Sequence, residues 1–501
     1  MELIALPEPR LLFRDSQALE DPRDGLTLFG PLDEGSPFGI RSGVIGTQDG
    51  IALFKDWLNR IQGEVVATQR SAAHPPFPGF STAFHVPWPP IPVHEITVNE
   101  TEVSRRAHFD DPYQRVHQTV QFYSEPIQKS IRTEDAAVDV WFAVIPEYVY
   151  QICRPRSSVR KDLAVSAPNK MDVTAAKRLR YQIPLFDEDE TKARPYHYEL
   201  NFHNQLKARL LQLNAPSQIV RETTLLSGAP LPDSERPSRD LEPPSAVAWN
   251  MSSAAFYKAG GRPWKIADIR SGVCYIGIVF KQDNSSADAR SACCAAQMFL
   301  DHGDGVVFKG AVGPWYSPAN GDYHLSREKA RELIFLAMET YVEKQNAAPR
   351  ELFIHGRVRF NTEEWIGFTE AVPKSTNLVG VRIRGTNELK LFRKGTHPIL
   401  RGLSYIRDER TAYLWTKGFI PRLETYPGWE VPNPLIIDVC RGEMDIRTVL
   451  QDILALTKLN YNSCKFSDGI PVTLRFANAV GEILTSGPAA DVPPLPFKHY
   501  I

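Results

Sequence analysis

An α/β fold is what this 501-residue sequence predicts, on three observations. Apolar runs of strand length, such as Val138 to Pro146, alternate with longer helical stretches, such as Tyr198 to Leu213. The alternation restarts after Ser252, which suggests more than one folding unit. A hydrophobic content of 43% is enough for sizeable cores, and the length fits two to four domains of about 150 residues each. Strands alternating with helices argue for a parallel sheet, although any doubly wound domain would share that periodicity.

Two proline-dense stretches, 74–93 and 229–244, lack helical spacing and are expected to be loops or extended connections. Beyond Ser252, strands are expected near 272–281 and 292–300, then a charged helix over 326–344 with Ser326 as N-cap. A strand at 351–356 follows, then a helix over 361–371, where Asn361 and Glu364 have the spacing of a capping box. A strand at 434–440 and a helix at 445–458 complete the pattern, with no internal repeat or low-complexity tract.

Charge excludes little. The 58 basic and 59 acidic residues leave a net charge of −1, so affinity for nucleic acid must come from local clusters. Such clusters exist at Arg154, Arg156, Arg160 and Lys161, at Lys177, Arg178 and Arg180, at Arg382 and Arg384, and at Arg393 and Lys394. Each would contact phosphates with a steep salt dependence, or simply be a solvated face. Six cysteines without a Cys-x-x-Cys pair read as reduced, buried thiols. The N-terminus lacks the basic start and apolar core of a signal peptide, and no apolar run reaches about 18 residues, so a cytoplasmic protein with no membrane partner is expected.

His203 and Lys207 stand four apart on the expected helix, on one face, where a single phosphate could touch both. Several longer blocks give this pair a context. Leu456-Thr457-Lys458-Leu459-Asn460-Tyr461-Asn462-Ser463 precedes Gly469-Ile470-Pro471-Val472-Thr473-Leu474-Arg475-Phe476-Ala477 and Val480-Gly481-Glu482-Ile483-Leu484. Earlier come Glu351-Leu352-Phe353-Ile354-His355-Gly356-Arg357 and Tyr257-Lys258-Ala259-Gly260-Gly261-Arg262-Pro263-Trp264. The chain opens with Asp21-Pro22-Arg23-Asp24-Gly25-Leu26 and Gly30-Pro31-Leu32-Asp33. Together these blocks resemble the short prokaryotic Argonautes over nearly the whole chain.

The resemblance implies a Rossmann-like MID domain at 36–250, a ribonuclease-H-like PIWI domain at 251–501, and an N-terminal segment, 1–35, packing with the PIWI domain. It implies a pocket for the guide's 5′ phosphate built from His203, Lys207, Gln218 and Lys258, with His203 where the family commonly has Tyr. Such a phosphate carries nearly two negative charges, so the pocket needs cations and neutral donors. A Mg²⁺ ion beside the phosphate is expected, held by the terminal carboxylate of Ile501, and Arg475 is expected near the guide or target backbone.

The resemblance also implies an empty catalytic site. A two-metal nuclease needs carboxylates converging on cations about 3.5–4 Å apart. The expected positions carry Val279, Gly356 or Arg357, and Asn462, and single acids such as Asp283, Asp301 or Asp304 cannot hold two metals. The implied function is recognition of single-stranded DNA by a guide RNA, without cleavage. Its signal would pass to a heterodimeric APAZ-containing partner with a TIR or sirtuin-like NADase, in prokaryotic defence against plasmids or phage. The rival readings are a guided endonuclease with displaced acids and a nucleic-acid-binding module needing no guide.

Overall fold

The computed structural model describes residues 2–68, 71–133, 137–179, 187–229, 240–282, 291–300, 305–314, 322–426, 428–487 and 495–501, with backbone alone at 282, 291–295, 305–314 and 477–478. Its strands are β1 (Glu2–Ala5), β2 (Leu11–Leu12), β3 (Ala18–Leu19), β4 (Ser42–Gly46), β5 (His94–Thr97), β6 (Val140–Ile145), β7 (Ser217–Arg221), β8 (Lys265–Ile266), β9 (Val273–Gln282), β10 (Ser291–Leu300), β11 (Gly305–Pro314), β12 (Glu351–Gly356), β13 (Asn377–Gly385), β14 (Leu403–Ile406), β15 (Thr411–Leu414), β16 (Leu435–Arg441) and β17 (Leu495–Pro496).

A four-stranded sheet in the order β5-β4-β6-β7 is wholly parallel. Its central strands β4 and β6 are buried along their whole length. Burial on both faces explains why Val140 to Ile145 reads as a continuous apolar run instead of an alternation. Helices Gln48–Arg60 and Pro112–Thr133 contribute Phe54 and Trp57 to one core and Val116, Val120 and Tyr123 to another, so opposite faces of this sheet are covered.

The second sheet has ten strands in the order β1-β14-β15-β16-β13-β12-β9-β10-β11-β17. It is mixed: β12 runs parallel to both β9 and β13, and β9 is antiparallel to β10. One face carries Tyr275, Val279 and Phe353 into the main core, while the other carries Ile276, Ile278 and Ile354 against the Arg327–Gln345 helix. The N-terminal strand β1 pairs with β14, and β2 joins β3 and β8 in a small third sheet. Glu8 clasps this entry segment to the large sheet by bonding Arg401 at 2.9 Å and Lys458 at 2.8 Å.

The expected strand at 351–356 is β12, and the capping box at Asn361 and Glu364 is present, with Glu364 N donating to Asn361 Oδ1 at 2.8 Å. The helix expected from 198 starts later, at Phe202, because Asn201 is its N-cap and Tyr198 instead lies against the Arg209 guanidinium, 5.0 Å from its ring. The stretch 74–93 is not all loop. Phe80–Phe84, free of proline between Pro78 and Pro87, forms a short helix whose two Phe rings stack at 4.9 Å. In the stretch 229–244, residues 230–239 lie outside the described set, and Pro244 begins a helix that runs to Lys258. Among the described residues no helix is long and apolar enough to cross a membrane.

Candidate nucleic-acid interface

Four elements meet at a buried basic cluster: the Phe202–Leu211 helix, β7, the end of the Pro244–Lys258 helix, and the turn Phe497–His499 with the residues after it. Lys207 is 2% exposed and Lys258 is 0% exposed. Lys207 Nζ donates to Ile501 O at 2.6 Å and to Ser217 O at 3.1 Å. Lys258 Nζ donates to the same Ser217 O at 3.0 Å and to Gln218 Oε1. The structure thus brings Lys207, Gln218, Lys258 and Ile501 together, although Lys207 and Ile501 are 294 positions apart.

Their electrostatics are unusual. Burial lowers Lys207 to about 7, and burial followed by the neighbouring Lys207 charge lowers Lys258 well below its ordinary value. His203, exposed at the cavity wall, is lowered to about 4 by the loss of water on its protein side and then by the Lys207 charge, with its Nδ1 3.1 Å from Asn204 Oδ1. No aspartate or glutamate among the described residues pairs with either lysine. Buried cations normally have a counter-charge, and the Ile501 oxygen on Lys207 is one anionic contact for two lysines, so this cluster can take a further anion.

His203 and Gln218 also line a cavity of about 520 Å³. Its wall includes Tyr150, whose ring has the Arg221 guanidinium 4.2 Å and the Arg154 guanidinium 5.1 Å from its centroid. Sequence reasoning named Arg154 only as part of a basic run and missed Tyr150 and Arg221; no local signal marks an aromatic residue that becomes a site only when three segments converge.

The residues at Ile501 do not fit the expected Mg²⁺. A hard divalent cation needs several oxygen ligands, yet Ile501 O and Ser217 O already accept from buried lysines. Among the described residues no group of three or more His, Cys, Asp or Glu is placed to hold a metal ion.

On the large sheet, Val279 is 6% exposed and shares an apolar cluster with Val472 and Val480. Two residues further along the same face of β9, Lys281 pairs with Glu482 at 2.7 Å. On the neighbouring β12, His355 is buried with its Nδ1 3.0 Å from Thr473 Oγ1, Gly356 ends the strand, and Arg357 is exposed. Asp438 is the acid closest to this strand end in register, facing Arg382 across β13, and it is taken up by Arg359 at 2.6 Å and Arg382 at 3.1 Å.

The turn that carries Asn462 packs against Trp264 and the Pro244–Lys258 helix, through Tyr461 Oη donating to Trp264 O at 3.0 Å and Cys464 N donating to Asn250 Oδ1 at 3.0 Å. The segment seated on β9 and β12 is the short helix Val472–Arg475 and the helix Ala477–Leu484 after it. Asp283, Asp301 and Asp304 lie outside the described residues.

Arg475 pairs with Asp468 and lines a different cavity, of about 880 Å³, with Arg23, Trp249, Lys417 and Lys465. Arg154, Arg156, Lys161, Arg178, Arg384, Arg393 and Lys394 are exposed, Arg160 is exposed beside Asp162 at 3.3 Å, and Lys177 is half-buried. Arg382 is committed to Asp438, and Arg180 lies outside the described residues.

No family model matches the sequence, and no curated protein matches it. Solved structures do. The structure of Clostridium butyricum Argonaute bound to a guide DNA (5′ deoxycytidine) and a 19-mer target DNA superposes with a TM-score of 0.65 at 15% identity, over 100% of this chain and 55% of that one. The crystal structure of Aa-Ago with externally-bound siRNA gives a TM-score of 0.55 at 14% identity, over 99% of this chain and 56% of that one. The chain therefore spans about half the length of the proteins it matches. Over that half, this mixed α/β chain has the fold of the Argonaute proteins.

Proposed function

We propose that this chain is a guided nucleic-acid sensor that grips the 5′ phosphate of a short guide and does not cut. The observation that carries the reading is the pair of buried lysines, Lys207 and Lys258, which pair with no aspartate or glutamate among the described residues, share only the Ile501 oxygen on Lys207 as an anionic contact, and sit behind His203 and Gln218 at the wall of a cavity. A terminal phosphate would supply the missing counter-charge. That a structural neighbour was solved with guide and target DNA supports guide-dependent recognition of a target strand.

In this reading residues 36–250 are a Rossmann-like MID domain, residues 251–501 a ribonuclease-H-like PIWI domain, and residues 1–35 a segment that packs with the latter. Val279, Gly356 and Arg357 supply no metal ligand, and the nearby Glu482 is taken up by Lys281, so cleavage is not its activity. The guide is RNA and the target single-stranded DNA, read by base pairing while the protein reads backbone and shape. Duplex formation biases a separate APAZ-containing effector, of TIR or sirtuin-like NADase type, toward its active state in a cytoplasmic defence against plasmids or phage; the target must then bind the active assembly more tightly than the resting one.

The test compares 5′-phosphorylated with 5′-hydroxyl oligonucleotides on the purified chain. Each charge-assisted hydrogen bond is worth about 1.5–3 kcal/mol, so the phosphate is expected to tighten binding at least about tenfold, and Lys207→Met is expected to erase the difference. Equal affinity for the two ends in the unaltered protein would overturn the reading. Reproducible target cleavage with Mg²⁺ or Mn²⁺ would overturn the non-cutting part.

A further inference from the structure

The end of the chain brings a side chain into the basic cluster that the phosphate reading does not yet use. Leu495 and Pro496 pair as β17 with Val307 and Val306 of β11, and Phe497 packs edge-on against Phe299 at 5.4 Å and Phe476 at 5.2 Å. Tyr500 N then donates to Phe497 O at 3.0 Å, closing one tight turn. A turn held at both ends in this way fixes the side chain at its centre, His499, which is 3% exposed.

His499 Nδ1 is sealed from solvent and has no hydrogen-bond partner. A buried polar group left unsatisfied costs about 1–3 kcal/mol, so a ring nitrogen kept in that state needs an explanation. The charged side chains around it are basic: Lys498 precedes it on the same turn, Lys207 approaches from the Phe202–Leu211 helix and Lys258 from the Pro244–Lys258 helix, while the Ile501 oxygen two residues on is bonded by Lys207. Asp139 acts on Lys498 and is already paired with Arg41 at 2.7 Å. Beside the turn, Gly260 has φ +104°, and even a Cβ there would come no closer than 3.8 Å to Lys498 Nζ, so there is room in front of that ammonium.

We propose that His499 is a recognition residue for a phosphate monoester: it donates its Nδ1–H to an oxygen of the 5′ phosphate that Lys207 and Lys258 neutralise, with Lys498 at the edge of the site. This rests on the phosphate reading above and extends it to a turn far away in sequence. A donor suits this position, because binding satisfies its own orphaned nitrogen.

The experiment measures the affinity ratio of 5′-phosphorylated to 5′-hydroxyl oligonucleotide for the wild type, Lys207→Met, His499→Phe and His499→Asn. His499→Phe keeps the ring volume and removes the donor, so the ratio is expected to fall roughly tenfold with 5′-hydroxyl affinity unchanged. His499→Asn places an amide where Nδ1 stood and is expected to keep the ratio within about threefold of wild type. If wild type prefers phosphate and Lys207→Met loses that preference while His499→Phe keeps it, the His499 assignment fails and the phosphate reading survives. If wild type shows no preference, the phosphate reading itself fails. A measurement independent of variant folding is the ¹⁵N–¹H spectrum of histidine-labelled wild-type protein: a 5′-phosphorylated dinucleotide, but not its 5′-hydroxyl analogue, is expected to shift one buried Nδ1–H resonance, and an unchanged spectrum at saturation overturns the assignment.

Discussion

The carbonyl oxygen of Thr473 stands 1.9 Å from where a Cβ on Gly277 would be, so the helix Val472–Arg475 lies directly on the backbone of β9. The same residue's hydroxyl meets His355 Nδ1 on β12 at 3.0 Å, so Thr473 closes the face between the two strands. Gly277→Ala must therefore lift that helix off the sheet. Overpacking of this kind costs about 1–3 kcal/mol, and chemical denaturation should show it, whereas Gly385→Ala, which meets nothing within 4 Å, should leave stability within about 0.5 kcal/mol.

Val279→Asp probes the non-cutting reading from the other side. The new carboxylate would be buried among Val472 and Val480 with Lys281 committed to Glu482, so it is expected to destabilise the protein by roughly 2–4 kcal/mol and to confer no cleavage with Mg²⁺ or Mn²⁺. Cleavage by the variant above the wild-type background would mean that other acids already stand around that position.

Lys207 makes phosphate binding pH-dependent. Its folded value of about 7 lies below the ordinary 10.5, so the folded protein binds fewer protons than the unfolded chain between those limits. This group's contribution to stability is complete above 10.5 and is lost as pH falls through about 7. A bound phosphate favours the ammonium, so binding at pH 8 should take up protons. Calorimetry in two buffers of different ionisation enthalpy reads that uptake, and none in the wild type would contradict a phosphate on Lys207.

Glu8 is expected to be the costliest surface-segment residue to remove. Burial pushes its carboxyl up, but Arg401 and Lys458 outweigh that and hold it below the ordinary carboxylate value. Glu8→Ala leaves two buried cations facing each other, for a loss of about 3–5 kcal/mol in urea unfolding. The wild-type contribution is present above about pH 4.5 and lost as pH falls through the lowered folded value.

The pair His324 and Glu364 gives the opposite slope. Its Nδ1 lies 2.8 Å from Glu364 Oε2, and that bond raises the histidine's affinity for its proton against the opposing effect of burial. The stability it provides is whole below 6.5 and disappears as pH rises through the raised folded value; Glu364→Gln should flatten the profile between pH 6 and 8.

Some of this molecule was legible residue by residue. The capping box at Asn361 and Glu364, the strand at 351–356 and the four-residue spacing of His203 and Lys207 each depend on backbone geometry over a few positions. Strand β13 was not legible, because Arg382, Arg384 and Gly380 interrupt its apolar run, and their place is explained only by partners on β16 and by Arg441 and Phe360 beside Gly380. The surroundings of Asn462 were not legible for a related reason: the turn after the Ile446–Leu456 helix is directed by burying Tyr461 against Trp264, far away in sequence.

By itself the sequence determined which chemistry each position can offer: no carboxylate at 279, 356 or 357, lysines at 207 and 258, and a histidine at 499. Only the tertiary structure decided that Lys207, Lys258 and His499 share one buried cluster with Ile501, and that the oxygen expected to hold the metal accepts from Lys207. Local periodicity acts over one turn of helix or two residues of strand, whereas bringing positions 207 and 501 together depends on apolar surface buried by β17 and Phe497 against β11, Phe299 and Phe476, a sum over distant segments that no short motif encodes.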